Sequence, residues 1–71
     1  MYQIKITGDR LKSIYFLKEI LMKNGKDPID FIMTTGKGQL FKDKKEADKA
    51  IKVLKKFGKP YAYEAVKVEE E

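Results

Sequence analysis

Apolar and polar residues alternate from Tyr2 to Thr7, which is the pattern of a β-strand with one buried face. Gly8-Asp9 ends the run and begins the next element. The residues predicted to face a core are Tyr2, Ile4 and Ile6, and those predicted to face away from it are Gln3, Lys5 and Thr7.

From Arg10 to about Asn24, apolar residues recur at helical spacing, and Asn24-Gly25 is typical of a helix end. The predicted core-facing residues are Ile14, Leu17 and Leu21, flanked by Leu11 and Ile20. Other apolar residues lie outside this arc, so the predicted helix is apolar around more of its circumference than a surface helix needs. Either large side chains wrap over the edges of a small sheet, or the helix contacts another protein or its own copy. The second interpretation gives the candidate protein-interface residues Tyr15, Phe16, Ile20 and Met22.

Two short strands are predicted next, from Ile29 to Thr35 and from Gln39 to Lys42. Pro28 prevents the preceding helix from continuing. The segment Thr34–Gly38 contains two glycines and is predicted to be a tight turn, so the two strands form a hairpin.

The clearest helix signals run from Asp43 to Pro60. Asp43 is the predicted N-cap, and Glu46 stands three residues later, as in a capping box. Gly58 is predicted to adopt the left-handed conformation beyond the helix end, and Pro60 cannot continue the helix. The apolar stripe contains Ala47, Ala50, Ile51 and Leu54, widened by Val53 and Phe57.

Lysines occupy the side of this helix opposite the apolar stripe, because residues spaced three or four apart share a helix face. Such a row is either a solvated face or a surface that contacts phosphates or an acidic partner. We call these residues the lysine ridge: Lys45, Lys49, Lys52 and Lys56.

The segment Tyr61–Val68 is predicted to be the last strand, although its alternation is imperfect. Tyr61, Tyr63 and Ala65 share one face, whereas Glu64 falls among the small apolar residues of the other. A bulge near Glu64 or a position at the sheet margin would remove the conflict. Residues 69–71 form an acidic tail.

The predicted order is therefore strand, helix, strand, strand, helix, strand, in one α+β domain over residues 1–68. Two split βαβ units of this kind form a ferredoxin-like sandwich with the antiparallel strand order 4-1-3-2 and both helices on one face. That fold hosts many unrelated functions, so it carries no functional assignment.

Composition excludes several kinds of chemistry. The 71 residues include no cysteine and no histidine, which removes thiolate metal sites, the commonest metal ligand and the usual general base. The carboxylates occupy predicted caps, turns and helix surface, without a spacing that suits acid–base catalysis. We therefore expect no enzyme activity, metal, cofactor or small-molecule substrate, and no apolar run is long enough to cross a membrane. The absence of cysteine is consistent with a cytoplasmic location.

Two functions from different classes remain. The first is a non-catalytic protein-interaction module, either a regulator or inhibitor of another protein or a homodimer. The second is sequence-independent nucleic-acid binding by the lysine ridge. The segment 36–60 contains nine lysines and three acids, which gives it a net charge of +6 within a chain of net charge +5. Fifteen of the sixteen basic residues are lysine, whereas arginine is the better ligand for phosphate and base edges.

Overall fold

The computed structural model describes residues 1–68, and the predicted acidic tail lies outside the described residues. Four strands and one α-helix follow each other in the order strand, strand, strand, helix, strand. Their bounds are β1 Tyr2–Thr7, β2 Tyr15–Lys23, β3 Asp27–Thr34, α1 Lys44–Lys55 and β4 Ala62–Lys67.

The four strands form one antiparallel sheet in the order β3-β2-β1-β4. The predicted ferredoxin-like sandwich is therefore wrong, since it requires two helices and the strand order 4-1-3-2. In this sheet consecutive strands β1, β2 and β3 are neighbours, and β4 returns after the helix to pair with the free edge of β1.

The predicted first helix is wrong because most of its sequence forms β2. One step of its apparent helical spacing, from Leu17 to Ile20, arises from a β-bulge between Leu17 and Glu19. Leu17 is opposite Met33, but the next inward residue is Ile20, opposite Phe31, because Lys18 is an extra residue in the strand. A bulge of this kind turns an i, i+2 repeat into i, i+3, which imitates one step of helical periodicity. The other two residues of the predicted arc do not face the core: Ile14 lies in the loop before β2, and Leu21 faces the other side of the sheet from Ile20.

Asn24 and Gly25 form the turn of a β-hairpin rather than the end of a helix. Both have positive φ, at 53° and 69°, as the two central residues of a type I′ turn require. The Lys26 N–H donates to the Lys23 carbonyl at 3.1 Å and closes the turn. The hairpin that the sequence contains thus joins β2 to β3.

The hairpin predicted across Gly36 is also wrong. The chain after β3 instead crosses back over the sheet, where the Gln39 N–H donates to the Leu17 carbonyl at 2.8 Å. The predicted strand Gln39–Lys42 is reduced to one antiparallel bridge between Phe41 and Tyr2. Gly38 permits the crossing, because a Cβ there would lie 2.5 Å from the Leu17 carbonyl oxygen.

The predicted helix after Asp43 is confirmed. The Glu46 N–H donates to the Asp43 carboxylate at 2.9 Å, so Asp43 is the N-cap. The Glu46 carboxylate accepts from the N–H of Lys42, one residue before the cap, at 3.3 Å. Gly58 has a φ of 69°, as predicted for the left-handed residue beyond the helix end.

The core lies between α1 and one face of the sheet. Ile4, Ile6 and Leu17 from the sheet are fully buried, and Leu54 from the helix is fully buried against them. Because only one helix covers the sheet, the core is a single layer. Its eight buried apolar residues are Ile4, Ile6, Leu17, Phe31, Ala47, Ala50, Ile51 and Leu54.

β4 lies at the sheet margin and pairs with β1 in unbroken register from Ala62 to Lys67. A bulge near Glu64 is therefore absent, and the marginal position is the alternative that the structure supports. Glu64 stands opposite Lys5, so the acid that fitted the alternation poorly faces a base on the neighbouring strand. None of the helices in residues 1–68 is long and apolar enough to cross a membrane.

Candidate functional site

The two faces of the sheet differ in what covers them. The helix α1 packs on one face, which we call the covered face. The opposite face, which we call the open face, has no helix or strand of residues 1–68 packed over it, although the chain crossing at Gly38 passes against it beside Phe16. Antiparallel sheets of this type usually carry polar residues on the face that meets water. The composition of the open face is therefore the most informative feature of the molecule.

Apolar side chains are frequent on the open face. Phe16 is half-buried, belongs to neither the core nor the residues packed against it, and lies opposite Lys5 and Thr34. Ile32, opposite Glu19, is 41% exposed. Leu40 follows the same alternation, since its neighbour Phe41 packs against the core. The apolar residues of the open face are Phe16, Leu21, Ile32, Leu40, Val66 and Val68.

Gln3 lies at the centre of this face. It is opposite Val66 on one side, and the Tyr2–Phe41 bridge places Leu40 beside it on the other. Gln3 is only 8% exposed, which is unusual for an amide on an uncovered sheet face. Its side chain forms no hydrogen bond with residues 1–68. The amide atoms of Gln3 are not among the buried polar atoms that lack a partner in residues 1–68, so they reach solvent although most of the side chain is buried.

The charges next to Gln3 are mixed. One row across the open face runs from Glu64 through Lys5 and Phe16 to Thr34, and so contains one acid and one base. A partner docking over the centre therefore meets no large field of one sign.

The four predicted interface residues do not lie on one surface. Tyr15 and Ile20 pack against the core on the covered face, Phe16 lies on the open face, and Met22 is 48% exposed near the end of the hairpin. Sequence reasoning grouped them on a helix that does not form. It missed Gln3, Leu40, Ile32 and Val66 as one surface. The strand alternation of Gln3 and Val66 was visible in the sequence, whereas the position of Leu40 depends on the chain crossing at Gly38.

The lysine ridge lies where the sequence predicted. Lys45, Lys49, Lys52 and Lys56 are all exposed, on the side of α1 opposite its buried stripe. In the described part of the chain none of them forms an ion pair; the one recorded pair joins Lys59 to Asp30 at 4.0 Å. The ridge and the open face are on opposite sides of the molecule, because α1 lies between its own lysines and the sheet.

Three aromatic side chains pack together on the covered face, beside the β2–β3 hairpin. Phe31 stacks on Phe57 at a centroid distance of 5.6 Å and meets Tyr63 edge-on at 6.2 Å. The Tyr63 hydroxyl is buried and has no hydrogen-bond partner within residues 1–68. Burial raises the pKa of the Tyr63 hydroxyl above its ordinary value, and neighbouring Tyr61 adds to the rise. This cluster binds the β2–β3 hairpin to the rest of the molecule.

Other surfaces offer little chemistry. A shallow hollow of about 430 Å³ lies between the end of β1 and the start of β4, lined by Thr7, Gly8, Asp9, Pro60, Tyr61 and Ala62. Asp9 is its one carboxylate, and Tyr61 is the other ionisable residue that lines it. Among residues 1–68 no three carboxylates are grouped closely enough to hold a metal ion.

Comparison of the chain with known proteins does not extend this description. No family model matches the sequence. A search of curated proteins found no match, and neither did a search of solved structures. The open face and the lysine ridge are thus the two surfaces from which a function can be argued.

Proposed function

We propose that this protein is a non-catalytic protein-interaction module whose binding surface is the open face of its sheet. The observation that carries the proposal is the composition of that face. A sheet face with six apolar residues and no helix packed over it departs from the polar pattern of a solvated sheet.

The proposal replaces the surface predicted from the sequence but keeps one of its residues. Phe16 is shared between them, because it projects from β2 on the side away from α1. The alternative partners of a module of this kind, another protein or a second copy, both fit a surface with an apolar centre and mixed charges.

A matched pair of isoleucine variants tests the proposal. Ile32 lies on the open face and is 41% exposed, whereas Ile14 lies in the loop before β2 and is 51% exposed. Replacing either residue by glutamate should cost little stability, because both side chains are about half exposed and a glutamate carboxylate can reach water from either position. We expect Ile32→Glu to lose partner binding and Ile14→Glu to retain it.

The measurement is affinity capture from nuclease-treated lysate of source cells, followed by cross-linking of the captured complex. The proposal is supported if the parent and Ile14→Glu capture one protein in stoichiometric amount and Ile32→Glu does not capture it. The captured protein should also cross-link to Lys5. Equal capture by the two variants, or cross-links confined to the lysine ridge, would contradict the proposal.

A second candidate function, electrostatic binding of nucleic acid, is favoured by the exposed and unpaired lysine ridge. Replacing Lys45, Lys49, Lys52 and Lys56 by glutamine keeps helix propensity nearly level. If the ridge binds phosphates, the variant should bind all sequences more weakly and with a flatter salt dependence. The log–log slope should change by about 0.9 for each duplex phosphate that the variant no longer neutralises. Equal binding by parent and variant at low salt would remove this candidate.

A further inference from the structure

The turn between β2 and β3 contains a reactive pair of residues. Asn24 is the single asparagine of the chain, and Gly25 follows it directly. Both residues are exposed, and both have positive φ, at 53° and 69°. A Cβ placed on Gly25 would meet no atom within 4 Å beyond its chain neighbours. Water and hydroxide can therefore reach the peptide bond that joins the two residues.

Neither of the two groups that would react is held by a hydrogen bond. The Gly25 N–H and the Asn24 side-chain amide have no hydrogen-bond partner within residues 1–68. The turn itself is closed by the bond from the Lys26 N–H to the Lys23 carbonyl at 3.1 Å. Local opening at the end of a hairpin costs little free energy, so the turn can leave its type I′ geometry while the sheet stays folded.

From this arrangement we infer that Asn24 is a site of spontaneous modification, at which the chain converts the asparagine to aspartate and isoaspartate. The Gly25 nitrogen gives its proton to hydroxide and attacks the carbonyl carbon of the Asn24 side chain. A new C–N bond closes a cyclic imide, the C–N bond of the side-chain amide breaks, and that nitrogen takes a proton from water and leaves as ammonia. Water then adds to one of the two imide carbonyls and breaks its C–N bond. Opening at the side-chain carbonyl gives aspartate, and opening at the main-chain carbonyl gives isoaspartate.

The neighbours of Asn24 favour this reaction. Gly25 has no side chain, so nothing hinders the approach of its nitrogen, and its backbone rotates freely during ring closure. Lys23 and Lys26 flank the pair, and nearby positive charge lowers the cost of the negative charge that develops on nitrogen and oxygen. Both lysines are exposed, so added salt should weaken their contribution.

The two products should differ in their effect on the hairpin. Aspartate leaves the backbone unchanged, and Asp-Gly suits a type I′ turn as Asn-Gly does. Isoaspartate carries the chain through its side-chain carbon, which adds one atom to the backbone between Lys23 and Gly25. The lengthened turn no longer fits the pairing of β2 with β3, so isoaspartate should weaken that pairing and aspartate should not.

Mass spectrometry of the full chain tests the inference. The folded parent and the parent unfolded in guanidinium are incubated at the same mildly alkaline pH, until half of the unfolded sample has exchanged an –NH₂ for an –OH. We expect the folded parent to gain the same mass at a rate no more than about tenfold lower, because opening of the turn costs little. The rate should rise in proportion to hydroxide concentration. The control is Asn24→Gly, which keeps a pair suited to the turn and should keep its mass.

A folded rate more than about tenfold below the unfolded rate would overturn the inference, since the turn would then protect the pair. An equal mass gain in Asn24→Gly would also overturn it. If circular dichroism shows that Asn24→Gly does not fold, fragmentation of the modified parent decides the matter, and a mass gain at Gln3 or Gln39 instead of Asn24 would contradict the site.

Enzymatic methylation of isoaspartate identifies the second product and allows its separation. The isoaspartate form should melt at a lower temperature than Asn24→Asp, which carries the same charge on an unchanged backbone. Equal melting temperatures would contradict the effect on the hairpin.

Discussion

The covered face and the open face of the sheet are both rich in apolar residues, but they differ in how far those residues are buried. On the covered face, Ile4, Ile6 and Leu17 are fully buried under α1. On the open face the apolar residues are half-buried or exposed, and a polar amide lies at their centre. The apolar residues of the covered face are explained by stability, because α1 buries them. The apolar residues of the open face are not buried by α1, so their presence requires another explanation. Substitutions on the two faces should therefore have different consequences.

The largest expected effect separates two neighbours on β3. Phe31 lies on the covered face, 9% exposed, and stacks on Phe57, whereas Ile32 lies on the open face. Phe31→Ala should lower the free energy of unfolding by about 3–5 kcal/mol, because it removes buried apolar surface and leaves a cavity. Ile32→Ala should cost less than about 1 kcal/mol. Urea denaturation measures both, and similar changes in the two variants would mean that the two faces are not energetically distinct.

The next effect concerns the crossing that puts Leu40 on the open face. Gly38→Ala would place a Cβ 2.5 Å from the Leu17 carbonyl oxygen and 2.9 Å from the Phe16 Cβ. We expect the free energy of unfolding to fall by about 1–3 kcal/mol, because backbone must move to make room. The control is Gly36→Ala, whose Cβ would meet only the Thr34 hydroxyl at 3.6 Å. If thermal denaturation shows the same stability for both variants, the close approach at Gly38 is wrong.

A smaller effect tests how firmly α1 is held over the covered face. Asp43→Ala removes the carboxylate that accepts from the Glu46 N–H and should cost about 1 kcal/mol. Asp48→Ala changes an exposed acid inside the same helix and should stay within about 0.5 kcal/mol of the parent. Chemical denaturation compares the two, and an equal response would remove the N-cap from the explanation of helix stability.

The smallest expected effect is a small gain in stability. Tyr63→Phe removes a buried hydroxyl that lacks a partner, so it should leave stability unchanged or raise it by up to about 1 kcal/mol. Because the folded-state pKa of Tyr63 is raised, its neutral form favours folding, and this contribution is lost as pH rises above the ordinary tyrosine value of 10.0. Melting temperatures of the parent should thus fall more steeply in that range than those of Tyr63→Phe. Parallel curves would contradict the burial of this hydroxyl.

The helix α1 was predicted correctly from the sequence, but the strand β2 was not. A comparison of the two segments shows why. The segment Lys44–Lys55 has a cap, one apolar stripe and a stop, and all of these signals agree. The segment Tyr15–Lys23 is apolar on both faces and contains a bulge, so neither helical nor strand periodicity is clean. Its turn, Asn24-Gly25, is a strong hairpin signal that also suits a helix end. One ambiguous turn therefore changed the predicted fold class.

The candidate surface was predictable only in part. The alternation of β1 correctly placed Gln3 away from the core, and the spacing of α1 correctly placed the lysine ridge on its outer side. Phe16 was identified as a side chain outside the core, although for the wrong reason. The union of Phe16, Leu40 and Val66 on one face depends on strand order and on the crossing at Gly38, which are long-range features that local periodicity does not encode.

The most direct test of the open face as the binding surface is a comparison of the two surfaces by nuclear magnetic resonance. Spectra of uniformly ¹⁵N-labelled protein, recorded with and without the protein that the parent captures, report which amides change environment on binding. We predict shifts at Phe16, Leu40 and Val66, with the lysine ridge unchanged. Shifts confined to Lys45, Lys49, Lys52 and Lys56 would contradict binding through the open face.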